Sequence, residues 1–474
     1  MPQKKLISLF EQWANEETIK VTPLAQSGSD RKYYRLFSKN KTALGVFNSD
    51  AKENLAFIEF TKHFEKKNLR VPKIYAEDVT SDVYLIEDLG DTTLFAFITN
   101  QKKEAEFTPL LQQQYNMVLD ALPNFQIKGG QGLNYSLCYP RASFDKQSMM
   151  WDLNYFKYYF LKLAQIPFEE QALEDDYQKF TDYLLQADQN YFLYRDFQSR
   201  NIMVKDEQVY FIDYQGGRKG ALQYDLASLL YDAKAEIPQA KREELYTYYI
   251  AQLKKHINVD EAEFKKFFQG YVLIRIMQAM GAYGFRGFYE KKAHFLASIP
   301  PALNNLELLL KTIDLPVELP TLMPLLHKLT KSEKLKELAA KGSSLEVSVN
   351  SFSYKRGIPV DVSGHGGGFA FDCRALHNPG RYDEYKQLTG RDMKVIEFLD
   401  KEEDVAVFKK NVTALVEQSV EKYIERNFDH LTVNFGCTGG QHRSVYMAEY
   451  IGRHLRDKYN IKVEVRHREQ EMKG

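Results

Sequence analysis

The run Y-R-D-F-Q-S-R-N at 194–201, with Asp213 at the end of the apolar stretch V-Y-F-I-D-Y, constrains this chain more than any other feature. It sets a carboxylate (Asp196), an amide carbonyl five residues on (Asn201) and a second carboxylate twelve residues later (Asp213). Asn201 and Asp213 carry hard oxygens of the kind magnesium takes beside nucleotide phosphates, and Asp196 can orient and deprotonate a hydroxyl. The same residue types at this spacing in a bare surface turn would carry no chemistry. The apolar strand before Asp213, and Y-D-L-A-S-L-L at 224–230, favour the phosphoryl-transfer reading.

The segment from L-Y-R-D-F-Q-S-R-N-I-M-V through F-I-D-Y-Q-G-G-R-K-G-A-L-Q-Y-D-L-A-S-L-L resembles the aminoglycoside phosphotransferase-like family. Within it, R-D-F-Q-S-R-N and I-D-Y-Q-G are most similar to the anomeric kinases of N-acetylmuramate and N-acetylglucosamine. The resemblance covers about residues 1–330. It implies a two-lobed protein-kinase-like fold, ATP and Mg2+ as cofactors, Asp196 as the catalytic base, and Asn201 and Asp213 as metal ligands. Tyr194 stands where protein kinases carry histidine.

Further candidates come from the preceding lobe. Leu6, Ile7, Phe10 and Trp13 repeat at helical spacing, and strands and turns follow from residue 22. Ser27, Gly28, Ser29 and Asp30 fall where the family has its phosphate-covering turn, small enough for backbone N–H groups to approach phosphate oxygens. The next strand should carry a phosphate-pairing lysine, but Val46, Phe47 and Asn48 occupy that region. Arg31, Lys32, Arg35 and Lys52 are the candidates to replace its charge. Glu53 is either the partner acid or a solvated helix N-terminal residue. Strand 83–90 is expected to present the backbone around Glu87, Asp88 and Leu89 to adenine. Farther on, Asp152 lies on the aromatic helix 149–161, either facing the acceptor sugar or exposed while Trp151, Tyr155 and Phe156 fill the core. Arg141 and Arg286 are further sugar-binding candidates. The glycines of G-G-R-K-G suggest a flexible segment near the acceptor, and Asp225 is expected to brace the catalytic loop.

Pro316, Pro320 and Pro324 then interrupt the helical pattern, and a short charged helix within 331–344 reads as a linker. From 345 the pattern turns to strands: V-S-V-N-S-F, F-A-F-D-C-R, L-T-V-N-F-G and V-E-V-R-H-R. The chemistry here lies in G-C-T-G-G-Q-H-R-S-V. A strand enters a glycine turn and then a helix, so Cys437, Thr438, Gly439, Gly440, Gln441, His442, Arg443 and Ser444 form a candidate anion site. Arg443 is the expected bidentate clamp. Cys437-x5-Arg443 also matches the phosphate loop of cysteine phosphatases, but no general-acid loop accompanies it.

S-F-S-Y-K-R-G-I-P, F-D-C-R-A-L-x-N-P, L-T-G, G-C-T-G-G-Q-H-R-S-V and V-R-H-R-E are together similar to the C-terminal domain of the RNase adaptor RapZ, over about 346–470. That resemblance implies a small α/β domain with a pocket for a phosphosugar effector, glucosamine-6-phosphate, and in some members RNA binding. Gly380 replaces the His or Tyr of the family's N-P-[His/Tyr] run, and G-H-G-G-G (364–368) is inserted. From Gly452 the tail holds seven Lys/Arg against four acids, a thin footprint for RNA.

Composition sets the outer limits. The 64 basic and 64 acidic residues of the 474 cancel, so nothing in the balance calls for nucleic acid or an anionic membrane. Cys138, Cys373 and Cys437 fit a reducing cytosol better than a disulfide framework. With no apolar run long enough to span a bilayer and no leader pattern, a cytoplasmic protein is expected. The expected order is a kinase-like phosphotransferase at 1–330, the linker at 331–344 and an α/β anion-binding domain at 345–474. Its expected activity is phosphorylation of an amino sugar at the anomeric hydroxyl, in cell-wall sugar recycling. The competing expectation is a regulatory adaptor that binds a phosphosugar and an RNA or protein partner, with a degenerate kinase half.

Overall fold

The computed structural model describes residues 2–24, 31–101, 107–290, 292–333, 335–336, 345–361, 364, 367–426, 428–459 and 461–471. Two compact units emerge from the packing: residues 1–282 with 301–332, and residues 283–300 with 333–474.

In the first unit a five-stranded antiparallel sheet is ordered β1-β2-β3-β5-β4. Its strands are β1 (Lys20–Pro23), β2 (Lys32–Phe37), β3 (Thr42–Phe47), β4 (Ile74–Asp78) and β5 (Val83–Ile86). The helix Pro2–Ala14 closes one face, with Leu6, Phe10 and Ala14 buried against Leu36, Ala43, Val83 and Leu85. Its Trp13 stacks on Tyr75 at 4.4 Å. Between β3 and β4 runs the helix Ala51–Lys66. Asp50 caps it by accepting from the N–H groups of Lys52 and Glu53, a contact worth about 1 kcal/mol. The cap fixes Glu53 in the first turn.

The helix-rich remainder of this unit carries two antiparallel hairpins, β6 (Tyr191–Leu193) with β9 (Arg218–Gly220) and β7 (Ile202–Lys205) with β8 (Gln208–Phe211). G-G-R-K-G is thus not wholly free: its Arg218 to Gly220 are strand residues paired with Leu193 to Tyr191. Nor does Pro324 break a helix. It sits in the first turn of Leu322–Thr330, where a proline forfeits no intrahelical bond. Most of the expected linker helix lies outside the described residues.

The second unit holds a parallel sheet ordered β11-β12-β10-β13, from β10 (Glu346–Ser353), β11 (Gly368–Asp372), β12 (His430–Cys437) and β13 (Lys462–His467). Every residue of the central β12 from Leu431 to Cys437 is buried, as expected of a strand covered on both faces. The helices Glu403–Glu425 and Arg443–Lys458 supply the covering residues, including Val412, Val416, Met447, Ile451 and Leu455. All three cysteines are free and buried.

Candidate active site

The catalytic-loop motif folds as the turn between β6 and β7, and Asp213 follows β8. Asn201 draws the three expected residues together. Its Nδ2 donates to the Asp196 carbonyl at 2.9 Å and to Asp213 Oδ2 at 3.2 Å, leaving its own carbonyl oxygen available. Arg195 and Asp213 take left-handed backbone angles, φ 83° and 69°. Such conformations cost about 1–3 kcal/mol each unless the surroundings impose them. Asp225 imposes the first: its carboxylate accepts from the N–H groups of Tyr194 (2.8 Å) and Arg195 (3.0 Å). Burial pushes Asp225 up to about 7, although these N–H groups and Gln126 pull the other way. Tyr194 completes the frame by donating its hydroxyl to the Ile212 carbonyl at 2.7 Å, tying the loop to the backbone beside Asp213.

Although the Asp213 side chain is part-exposed, the protein packed around its carboxyl strips most of its hydration, and this, reinforced by the negative Asp196, pushes it up to about 6. Opposing this is Arg31, whose Nη2 lies 2.6 Å from Glu53 Oε1 and Nη1 3.7 Å from Asp213 Oδ1. Of the four cations that might replace the strand lysine, Arg31 is therefore the one brought to the site. Arg35 is committed to Asp88 at 2.6 Å and Asp91 at 2.9 Å. Lys32 is exposed, and Lys52 lies over the Tyr139 ring. Asn48, in the lysine's region, donates to Glu53 Oε2 at 2.9 Å, so Glu53 is not a solvated helix end. Gln215 escaped the sequence reading. It donates to Asp213 Oδ1 at 2.6 Å and to Glu53 Oε1 at 3.4 Å.

Ser27, Gly28 and Ser29 lie outside the described residues. In the segment after β5, which does not continue the strand, Leu89 is buried and Glu87 is held by Lys205 Nζ at 3.1 Å, which also donates to the Asp88 carbonyl at 3.1 Å. Those side chains serve the turn.

Asp152 is neither solvent-exposed nor open to a ligand cation. It is buried and takes both guanidinium nitrogens of Arg195, at 2.6 and 2.7 Å. Arg195 also donates to the Tyr224 hydroxyl and packs on the Phe144 ring. Asp152 thereby positions the residue preceding Asp196. Trp151, which one of the two readings of this helix put in the core, is 45% exposed, with Arg141 over its ring at 5.7 Å. Arg141 is otherwise spent on Asp145, and Arg286, in the second unit, pairs with Glu290 at 2.9 Å.

In the second unit the turn after β12 is built as expected, but its side chains are differently employed. Cys437 Sγ accepts from Gly440 N–H at 3.2 Å and meets Ser444 Oγ at 3.1 Å. Thr438 and Gly439 are exposed. Gly440 has φ +66°, and a Cβ there would stand 3.1 Å from the Ser353 nitrogen. Arg443 does not reach outward as a bidentate clamp. Its Nη1 donates to the carbonyls of Arg374 (2.9 Å) and Leu376 (2.8 Å), and its Nε is buried without a partner among the described residues. Those carbonyls lie in a short turn after β11, and the buried guanidinium is spent on satisfying them. Gln441 donates to the carbonyls of Lys386 and Leu388, and His442 bonds the Tyr385 carbonyl. Gly390 of L-T-G donates to the Gln441 carbonyl at 2.9 Å, and a Cβ on it would stand 2.2 Å from the His442 oxygen.

The family model "Phosphotransferase enzyme family" matches residues 20–264, and the model "RapZ C-terminal domain" matches residues 345–471. A nucleotide-binding protein of Xanthomonas axonopodis pv. citri is 41% identical over 127 residues, 27% of this chain and 43% of that protein. One from Xylella fastidiosa is 39% identical over the same length, 27% of this chain and 42% of its own. The chain thus spans less than half the length of these curated relatives. Among solved structures, an amicoumacin kinase with AMP-PNP and Ca2+ is similar at 13% identity and TM-score 0.46, covering 66% of this chain and 96% of that one. The choline kinase LicA of Streptococcus pneumoniae is similar at 14% identity and TM-score 0.41, covering 65% and 99%. No helix among the described residues is long and apolar enough to cross a membrane. The chain belongs to the phosphotransferase enzyme family, and behind that domain it carries a RapZ C-terminal domain.

Proposed function

We propose that this protein is an ATP-dependent kinase that phosphorylates the anomeric hydroxyl of an N-acetylated amino sugar, N-acetylglucosamine or N-acetylmuramate, in the recycling of cell-wall sugars in the cytoplasm. The RapZ-type domain would sense a related phosphosugar. One observation carries the reading: Asn201 joins Asp196 to Asp213, with the Arg31–Glu53 ion pair beside them. That set fits magnesium by its chemistry, because the free Asn201 carbonyl and the Asp213 carboxylate are hard oxygens and Asp213 is held beside another negative charge. Magnesium bound there would neutralise charge on the phosphate oxygens in flight.

The protein's own residues do the rest. Asp196 accepts the proton of the acceptor hydroxyl, and nothing bulky crowds it from Gly216, whose absent Cβ would lie 3.9 Å from Asp196 Oδ2. Asp225 and Asp152, through the Arg195 backbone and guanidinium, keep that carboxylate on station. Arg31 supplies a phosphate-directed cation. Because Asp152 is neutralised by Arg195, it offers no open carboxylate to a polycationic drug, which favours an acceptor without multiple positive charges. The presence of Arg31 weighs against a degenerate kinase half. ATP consumption against a panel of free amino sugars, with and without glucosamine-6-phosphate, tests this. Turnover with N-acetylated amino sugars supports it, and turnover confined to aminoglycosides or choline refutes it.

A further inference from the structure

Within the first unit lies an open cavity of about 530 Å³ whose lining includes none of the active-site residues. It is lined by the segment 67–70 that follows the helix Ala51–Lys66, by one face of the helix Pro109–Pro123 with the turn after it, and by Gln208. Leu69, Met117 and Phe125 give it an apolar floor. Asn68, Asn124 and Gln208 add amide groups. Its charge is lopsided: Lys67, Arg70 and Lys128 face a single acid, Asp120. Asp120 already accepts the Tyr248 hydroxyl at 2.9 Å. The three cations are exposed, and none has an ion-pair partner among the described residues. Three like charges around one cavity repel each other unless an anion joins them.

The walls of this cavity are also wired to the catalytic groups. Lys67 caps the C-terminal end of the helix whose first turn carries Glu53, the partner of Arg31. The Arg70 carbonyl accepts the Phe211 N–H at 2.9 Å, two residues before Asp213. Through their backbone, Lys67 and Arg70 thus join this cavity to the Glu53 helix and to the strand that precedes Asp213.

We propose that this cavity is a regulatory site for a small phosphate ester of hexose-phosphate size. The cations take the dianionic phosphate, the amides take hydroxyls, and the apolar floor takes the ring face. A planar base is less suited, because the one aromatic ring among the lining residues, Phe125, is fully buried against Phe64, Tyr194 and Phe211. The inference concerns binding and does not depend on the acceptor of the kinase reaction.

The test is hydrogen–deuterium exchange with calorimetric titration on the full chain, using glucose 6-phosphate, glucose and inorganic phosphate as probes. Glucose 6-phosphate should protect residues 66–71 and 124–128 and slow exchange in the Glu53 turn, whereas glucose should do neither. Lys67→Ala with Lys128→Ala should weaken that binding at least about tenfold, each lost charge-assisted bond being worth severalfold or more. Both side chains are exposed, so the melting temperature of the double variant should match the parent. Arg443→Ala, in the other unit, should leave this protection unchanged. Protection confined to residues 437–444, equal binding by the double variant, or equal affinity for inorganic phosphate alone would each overturn the proposal.

Discussion

Arg31 is the residue on which the electrostatics of the site turn, and Arg31→Ala is the perturbation that exposes it. Its side chain is 5% exposed and stands between Glu53 at 2.6 Å and Asp213 at 3.7 Å. At an effective dielectric near 20, the attraction to Asp213 alone is about 4 kcal/mol. Asp213 is 41% exposed, and solvent screening reduces this to roughly 2 kcal/mol. Removing the guanidinium also leaves Glu53 with only the amides of Asn48 and Gln215 against its charge. Those losses fall on the stability of the site; for magnesium–nucleotide affinity or turnover the loss is that of a charge-assisted hydrogen bond to phosphate, about 1.5–3 kcal/mol or roughly 10- to 150-fold. Arg31→Lys keeps the charge without the two-pronged geometry and should recover most of that loss. Equilibrium binding of a fluorescent ATP analogue, followed by steady-state ATP consumption, measures both. Parent-like nucleotide affinity and turnover in Arg31→Ala would refute the assignment of Arg31 as the replacement for the strand lysine.

Asp196→Asn should lower phosphoryl transfer by about 10²–10⁴ while nucleotide binding stays near the parent value, whereas Asp213→Asn should weaken nucleotide binding itself; activity of Asp196→Asn within a few-fold of the parent removes its role as base. Asp225 predicts a pH dependence. Its folded carboxyl titrates near 7 against an ordinary value near 4, so the native state holds the proton more tightly and this group's contribution to stability falls as pH rises between those values. The stability lost in Asp225→Asn should accordingly be larger at pH 5 than at pH 8, by up to roughly 3 kcal/mol, and a difference that grows with pH would be the wrong sign. Gly390→Ala should destabilise the second unit by several kcal/mol, because the new Cβ meets the His442 oxygen and Tyr446 nitrogen, both backbone; an unchanged thermal transition contradicts the packing described.

What could be read from the sequence was whatever short spacing encodes. Asp196 and Asn201 lie in one loop and Asp213 just past the β7–β8 hairpin that follows it, so their motif carried their placement. Asp225 was legible for a related reason, as a lone acid in an apolar helix start. The pairing of Asp152 with Arg195 spans 43 residues and joins a helix to a loop, which no local periodicity records. Arg31, Lys32, Arg35 and Lys52 were equivalent by charge alone. Only the sheet, which commits Arg35 to Asp88 and Asp91, separates them. Gln215 gave no signal beyond its nearness to Asp213. In the second unit the strand–turn–helix was plain, yet the employment of Arg443 was not, because its partners are backbone carbonyls, invisible to side-chain pattern. The Asp372–Gly436 register of β11 and β12 brings that turn to Arg443, and register is a property of the folded sheet.

The most direct test of the account is the position of the phosphate on the product formed from N-acetylglucosamine or N-acetylmuramate and ATP. Phosphorus–carbon coupling in the NMR spectrum, with sugar labelled at the anomeric carbon, reads it without ambiguity. The account predicts coupling at carbon 1, abolished in Asp196→Asn. A 6-phosphate product, or efficient phosphorylation of kanamycin in place of either sugar, would contradict it.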